Sequence, residues 1–206
     1  MIAILDYGLG NLGSIANMLR VIGEKNRITA DPEEIAKADG IILPGVGAFD
    51  AGMRNLNQSG LTDVIRERAS AGIPILGICL GMQLLGRKSE EGVLPGLGLI
   101  PFDCRRFSFP DGTGLRIPHM GWDIVDMKQD HPLVKGLEGT QRYYFVHSYH
   151  AVCDSAENVL MTCEYGYEFT AAVVKDRIMG VQFHPEKSHD FGLALLSNFV
   201  NVCRGE

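Results

Sequence analysis

Five residues, Gly77-Ile78-Cys79-Leu80-Gly81, carry the densest chemical signal in the chain. They follow an apolar run, Ile73–Ile78, and open a helical stretch from Leu80 to about Gly86, so the spacing predicts strand, sharp turn and helix. This is the glycine–x–nucleophile–x–glycine elbow, with cysteine where hydrolases often carry serine. The glycines have a steric reason: the turn brings backbone close on both sides of the central residue, where a Cβ on either flank clashes. Such a turn projects Cys79 from the carboxyl edge of a sheet, where ligands bind in doubly wound folds. It also sets the sulfur at a helix N-terminus, whose free N–H groups and dipole favour the thiolate. A cysteine without that setting is usually a buried, inert hydrophobe, and this reading is kept for Cys104, Cys153, Cys163 and Cys203.

A cysteine nucleophile needs a base beside the sulfur and a third group to hold the imidazole. Among six histidines, His184 stands out in Gly180-Val181-Gln182-Phe183-His184-Pro185-Glu186. Alternate residues of a strand share a face, so Glu186 can point the way His184 does. Spacing leaves a second reading open: a strand-end histidine capping a turn, followed by the first acid of a helix. His147 and His150 form an i, i+3 pair in an extended segment with no further ligand at metal spacing, so no metal site is expected there. His119 and His131 read as surface loop residues, and His189 as exposed. For an oxyanion site, the glycine-rich Pro44-Gly45-Val46-Gly47-Ala48-Phe49 follows an apolar strand; one of its N–H groups, with that of Leu80, can cradle a tetrahedral intermediate. Asp6-Tyr7-Gly8-Leu9-Gly10-Asn11, with Gly13 and Asp31, nominally fits a dinucleotide fingerprint. A cysteine elbow on the same edge leaves little room for a cofactor, and none is expected.

These loops need a scaffold. Apolar runs at Ile2–Asp6, Lys25–Thr29, Gly40–Leu43 and Ile73–Ile78 read as strands. Helical spacing follows at 11–21, from Asp31-Pro32, around Leu61–Ala71, and from Leu80. Asn11 and Asp31 stand as N-caps and Gly23 as a stop. The first 86 residues thus read as four strands alternating with four helices, which implies a parallel sheet covered on both faces. After Leu97 the runs Leu99–Phe107, Trp122–Met127, Arg142–Val146, Asn158–Cys163, Thr170–Lys175 and Arg177–Phe183 are strand-like, with turns at Asp111-Gly112 and Asp176-Arg177. Phe191–Val202 closes the chain as an amphipathic helix. The expectation is one α/β domain over residues 1–206, with a central, mostly parallel sheet flanked by helices and a β-rich second half that completes the same core.

Composition narrows the function classes. With 206 residues and 46% hydrophobic content, the chain is large enough for a core that needs no disulfide or metal staple. A net charge of −6 and the lack of any basic block argue against nucleic-acid or anionic-membrane partners. Five cysteines with no C-x-x-C pair and no signal peptide suit reduced thiols in the cytoplasm. No uncharged run is long enough to span a bilayer.

The elbow segment Gly77–Leu85, read with Gly180–Ser188, resembles the class I, triad-type glutamine amidotransferases, which have a flavodoxin-like fold. Asp6–Ser14, Pro44–Phe49, Pro118–Trp122 and Tyr144–Tyr149 resemble, within that class, the glutaminase subunits of imidazole glycerol phosphate synthases of histidine biosynthesis. The likeness runs from Asp6 to Ser188. It implies that Cys79 attacks the glutamine side-chain carbonyl, that His184 serves as acid and base, and that Glu186 orients it. By the same likeness Gly45, Val46, Gly47 and Leu80 form the oxyanion region, and Gln83 and Glu91 hold the substrate, Glu91 through the α-amino group. His147, Ser148 and Tyr149 match the stretch at the substrate's carboxylate end. The implied partner is a separate (β/α)8-barrel cyclase subunit in a heterodimer. Met120, Trp122, Asp123 and Lys187 fall at the implied interface. The oxyanion peptide is expected to reorient when that partner binds its own substrate, leaving the lone subunit nearly inactive. The family usually reads Met-Gly-Trp-Asn where this chain has Asp123. Three other readings compete: a subunit of another synthase, a non-catalytic subunit on the same fold, and a flavodoxin-like binding domain with an incidental cysteine.

Overall fold

A computed structural model describes all residues 1–206. The N-terminal half alternates strands and helices: β1 (Ile2–Leu5), α1 (Leu12–Val21), β2 (Asn26–Thr29), α2 (Pro32–Ala36), β3 (Gly40–Leu43), α3 (Phe49–Gln58), α4 (Leu61–Ser70), β4 (Ile75–Ile78) and α5 (Leu80–Leu85). The second half adds β5 (Lys88–Ser89), β6 (Phe102–Arg106), β7 (His119–Met127), β8 (Gln141–His147), β9 (Tyr149–Cys153), β10 (Val159–Glu164), β11 (Glu168–Lys175), β12 (Ile178–Val181) and α6 (His189–Arg204). All strands join one 12-stranded sheet, whose main path runs β2-β1-β3-β4-β12-β11-β10-β7-β8, with β5, β6 and β9 branching from β11. Pairing is parallel from β2 through β4 to β12 and antiparallel beyond, except that β5 pairs β6 in parallel.

β1, β3 and β4 are buried at every position, as expected of parallel strands with helices on both faces. Alternate residues feed opposite cores. Ile2, Ile4, Ile42 and Leu76 pack with Ile15 and Leu19 of α1 and with Leu195, Leu196 and Phe199 of α6. Ala3, Leu5, Ile41 and Ile75 pack with Phe49, Met53 and Leu56 of α3, Ile65 of α4 and Leu84 of α5.

The expected mostly parallel core flanked by helices is present, with local differences. Two helices, α3 and α4, fill the β3–β4 connection where spacing predicts one. Phe49, Met53 and Leu56 bury a helical stripe, but the five polar side chains of the same helix dilute its signal. β9 and the short β5 are also unanticipated; β9 begins two residues after β8 ends, with no turn residue to mark the break. Asn11 is the α1 N-cap but makes no side-chain cap bond, whereas Asp31 accepts from Glu33 N–H at 2.9 Å as predicted for α2. His119, expected in a surface loop, opens β7 and is only 2% exposed. β12 ends at Val181, so His184 and Glu186 lie beyond the strand, and Pro185–Lys187 is a 3-10 turn. No helix is long and apolar enough to cross a membrane.

Candidate active site

Cys79 sits in the turn between β4 and α5 with φ +53° and ψ −110°, a conformation costing about 1–3 kcal/mol for a residue with a Cβ. Surrounding structure holds it there. Its N–H donates to Val181 O at 2.8 Å, tying the elbow to β12. A Cβ on Gly81 would overlap the Leu43 carbonyl, and one on Gly77 would sit 2.7 Å from the Gly81 carbonyl and Met82 N. The flanking glycines are therefore required by contact with backbone, which cannot move aside.

His184 and Glu186 meet through the turn, and not as neighbours on a strand. Proline at its first position favours the turn's start, which curls Glu186 back until its Oε1 lies 2.8 Å from His184 Nδ1. Both side chains are buried, at 1% and 2% exposure. Ser188, fully buried, fixes the turn: its Oγ donates to His184 O at 2.6 Å and accepts from Tyr144 N–H at 3.0 Å. His184 Nε2 and Glu186 Oε2 are buried without a hydrogen-bond partner. Burial works against a charged imidazole, but the charge of nearby Cys79 and the hydrogen bond and charge of Glu186 outweigh it and hold His184 up at about 9.

Cys79 and His184 open onto one cavity of about 470 Å³, which Val46, Gly47, Leu80, Gln83, Glu91, His147, Ser148 and Tyr149 also line. Ten predicted residues, from segments as far apart as 46 and 184, are thus brought together. Gly45 lies just behind, so tightly packed that a Cβ there would come within 2.5 Å of Tyr7 Oη and 2.9 Å of Leu80 Cβ. Tyr7 Oη donates to Pro44 O at 2.5 Å, fixing the start of that loop. The N–H groups of Val46, Gly47 and Leu80 have no intramolecular acceptor. Glu91 Oε2 accepts from Phe49 N–H at 2.9 Å, capping α3, whose own N-cap residue is Ala48. The nominal dinucleotide turn is occupied otherwise: Asp31 caps α2, and a Cβ on Gly10 would stand 3.1 Å from Pro44 Cβ. A larger groove of about 890 Å³ along 127–138 holds none of the predicted residues.

Two residues at the site were given no role in the sequence reading. Gln182, fully buried, directs Nε2 to Cys79 Sγ at 3.8 Å and accepts from Gln83 Nε2 at 3.1 Å. Its position two before His184 was the available signal. His119 bonds through Nδ1 to His147 Nε2 at 3.1 Å. His147 is pushed down to about 3, first by burial and further by His119, His150 and His184, so it is a neutral hydrogen-bonding group at ordinary pH.

The predicted interface residues divide between two faces of β7. Met120 and Trp122 point outward with Ile124, at 61%, 42% and 53% exposure. Trp122 stacks on His189, with Arg142 over its ring at 5.7 Å. Asp123 points to the opposite face, where its Oδ2 lies 3.3 Å from His119 Nε2. Lys187 is exposed, with Nζ 5.4 Å above the Tyr144 ring.

The chain matches the family described as Glutamine amidotransferase class-I over residues 3–203. Among solved structures it resembles a glutamine amidotransferase at TM-score 0.75 and 19% identity, covering 100% of this chain and 99% of that one. It also resembles PurLQS from Thermotoga maritima at TM-score 0.74 and 20% identity, covering 98% and 97%. The chain is therefore a class-I glutamine amidotransferase. It is 48% identical to imidazole glycerol phosphate synthase subunit HisH 2 of Pseudomonas aeruginosa, over 98% of this chain and 100% of that one. It is 52% identical to the subunit of the same name from Methanococcus maripaludis, over 97% and 98%. Within its class, it belongs to the family of imidazole glycerol phosphate synthase HisH subunits.

Proposed function

We propose that the chain is the glutaminase subunit of an imidazole glycerol phosphate synthase, with Cys79, His184 and Glu186 as its triad. Cys79 Sγ, its proton passed to His184 Nε2, attacks the carboxamide carbon of glutamine while an oxyanion forms on the carbonyl oxygen. The free N–H groups of the 46–47 loop and of Leu80 receive that charge, and each such donor is worth about 100-fold or more in rate. His184 Nε2, held by Glu186 through the other nitrogen, protonates the departing amine, and ammonia leaves. The same imidazole then takes a proton from water, which attacks the thioester and releases glutamate with the thiol restored. Glu91 receives the α-amino group of glutamine, and the 147–149 stretch flanks its carboxylate end. Gln83 borders the same cavity.

The observation that carries this reading is the shared cavity: sulfur and imidazole open onto it, and a buried carboxylate stands 2.8 Å behind the ring. The released ammonia passes to a separate (β/α)8-barrel cyclase in the cytoplasm. The outward β7 face, with Met120 and Trp122, and the exposed Lys187 form the docking surface. The cyclase's ligand turns the Val46–Gly47 peptide toward the oxyanion, so the lone subunit is slow.

Cys79→Ala tests the assignment in the assembled complex. Glutamine-dependent product formation and glutamate release disappear, circular dichroism is unchanged, and ammonium salt restores cyclisation. A Cys79→Ala complex that still releases glutamate at near the wild-type rate would rule the assignment out. Full activity of the isolated chain would rule out the gated loop.

A further inference from the structure

From Cys79 Sγ a line of polar contacts runs into the protein and ends on a main-chain carbonyl. Gln182 Nε2 lies 3.8 Å from the sulfur. Gln182 Oε1 accepts from Gln83 Nε2 at 3.1 Å. The same Gln83 nitrogen donates to Tyr149 O at 3.2 Å. Tyr149 O takes a further bond from His147 Nδ1 at 2.8 Å.

The carbonyl at the end of this line sets the direction of every bond in it. Tyr149 O has no proton to give, so each group bonded to it must donate. Gln83 must therefore present its NH2 to Tyr149. That NH2 also faces Gln182, which must answer with its oxygen. The NH2 of Gln182 is left directed at sulfur. Flipping Gln182 would set two NH2 groups against each other and an amide oxygen against sulfur, leaving buried polar atoms unpaired. His147 is neutral and its Nδ1 carries the proton, so it supports the same polarity from the other side of the carbonyl. An apolar side chain of similar volume would fill the same space without presenting any donor to the sulfur.

We propose that Gln182 is a positioning residue of the reaction, whose amide N–H donates to the Cys79 sulfur and stabilises its anion before attack on glutamine and again when the thioester opens. This rests on the reading of Cys79 as the nucleophile. The donor acts from a fully buried position, where an N–H toward a charged atom counts for more than in water. Tyr149 and Gln83 do not touch the sulfur; they determine which end of Gln182 does.

The test uses the full chain, alone for thiol reactivity and in complex with the cyclase for turnover. Gln182→Met keeps the volume and removes the donor; Gln182→Glu keeps the shape and places an acceptor beside sulfur. Alkylation of Cys79 by iodoacetamide, read by mass spectrometry across pH, reports how readily the anion forms. With Gln182→Met, the pH of half-maximal alkylation rises by about half a unit to one unit, and kcat falls roughly three- to ten-fold with KM for glutamine within about twofold. Gln182→Glu shifts both further in the same direction. A Gln182→Met protein that melts at a lower temperature but keeps the wild-type pH profile and kcat means a packing role only and overturns the proposal.

Should neither variant fold, the wild-type chain still decides. The side-chain amide signals of Gln182 in 15N NMR are expected to move with the same pH dependence as alkylation, and to stop moving once Cys79 is alkylated. Signals indifferent to both overturn the proposal. Cys79→Ser separates the two ideas. Retained turnover in that variant defeats the nucleophile assignment itself, whereas a dead Cys79→Ser beside unaffected Gln182 variants defeats only the role of Gln182.

Discussion

Glu186→Gln changes one charge at the candidate site and almost nothing of its shape. The carboxylate is 2% exposed, with Oε1 2.8 Å from His184 Nδ1 and Oε2 unpaired. An amide keeps an oxygen to accept from Nδ1 and puts an NH2 where the orphan oxygen stood. The protonated imidazole loses a buried counter-charge. An ordinary histidine titrates near 6.5, so holding His184 at about 9 corresponds to roughly 3 kcal/mol in favour of the charged ring. Burial opposes that shift, so Cys79 and Glu186 together supply more than the net figure. Removing one of two such partners should lower the midpoint by about one to two units, a 10- to 100-fold change in proton affinity.

The readout is the titration of the His184 ring by NMR, alongside the alkaline limb of glutamine turnover in the complex. In the wild type the ring stays protonated at pH 8, and turnover declines as pH rises through about 9. In the variant both midpoints move down together, and turnover at pH 8 falls by about two- to ten-fold. Stability moves with it. Because the folded value lies above the unfolded one, the contribution of His184 is complete below about 6.5 and is lost as pH rises through about 9. The wild type should therefore lose more stability across that window than Glu186→Gln. A variant whose ring and alkaline limb still titrate within about 0.3 units of the wild type would refute the claim that this carboxylate sets the basicity of the imidazole.

Glu91→Gln keeps an acceptor for the Phe49 N–H and removes the charge assigned to the substrate amine. Steady-state kinetics in the complex should show KM for glutamine raised about ten-fold or more with kcat within about threefold, and an unchanged melting temperature; an unchanged KM refutes the role. His147 is buried neutral at about 3, so stability is present above 6.5 and is lost as pH falls toward 3. Circular dichroism should show acid unfolding, and His147→Asn, which can still donate to Tyr149 O, should move its midpoint to lower pH and recover roughly 2–4 kcal/mol at pH 4. Gly81→Ala must push a methyl into the Leu43 carbonyl and should cost about 3 kcal/mol or more in urea unfolding. Gly13→Ala, with nothing within 4 Å of the new Cβ, should be neutral or add up to about 1 kcal/mol; equal costs at the two positions would contradict the steric account of the elbow.

The contrast between Gly81 and Gly13 shows what a sequence can reveal. A glycine on each side of a cysteine, between an apolar run and a helix, has one local explanation, and backbone contact supplies it. β1, β3 and β4 were legible for a similar reason: strands buried on both faces read as unbroken apolar runs. Helix α3 was less legible because its three buried side chains are spread among residues that face water. β9 was hidden because it follows β8 almost directly and runs in the same direction, the chain passing from pairing with β7 to pairing with β6 and β11 without a turn.

The site divides along another line. Cys79 and His184 could be selected by residue type and setting, since few side chains can act as nucleophile or base and fewer follow a strand into a turn. Their supports could not be selected that way. Glu186 reaches His184 because Pro185 starts a turn and Ser188 clamps it, while the expected strand would have achieved the same meeting by another geometry. Gln182 is a common residue type, and its direction is set by a carbonyl 33 positions away. His119 shows the same dependence. With Tyr149 O fixing the proton of His147 on Nδ1, neutral His147 offers Nε2 as an acceptor, and His119 must donate to it through Nδ1. His119 Nε2 then faces Asp123 Oδ2 at 3.3 Å, while burial works against a charge on that ring. A residue at 123 that donates would pair with the acceptor nitrogen of a neutral ring. The departure at Asp123 therefore bears on a ring bonded to His147 in the wall of the candidate cavity, as well as on the proposed docking face, and only the folded chain makes that connection visible.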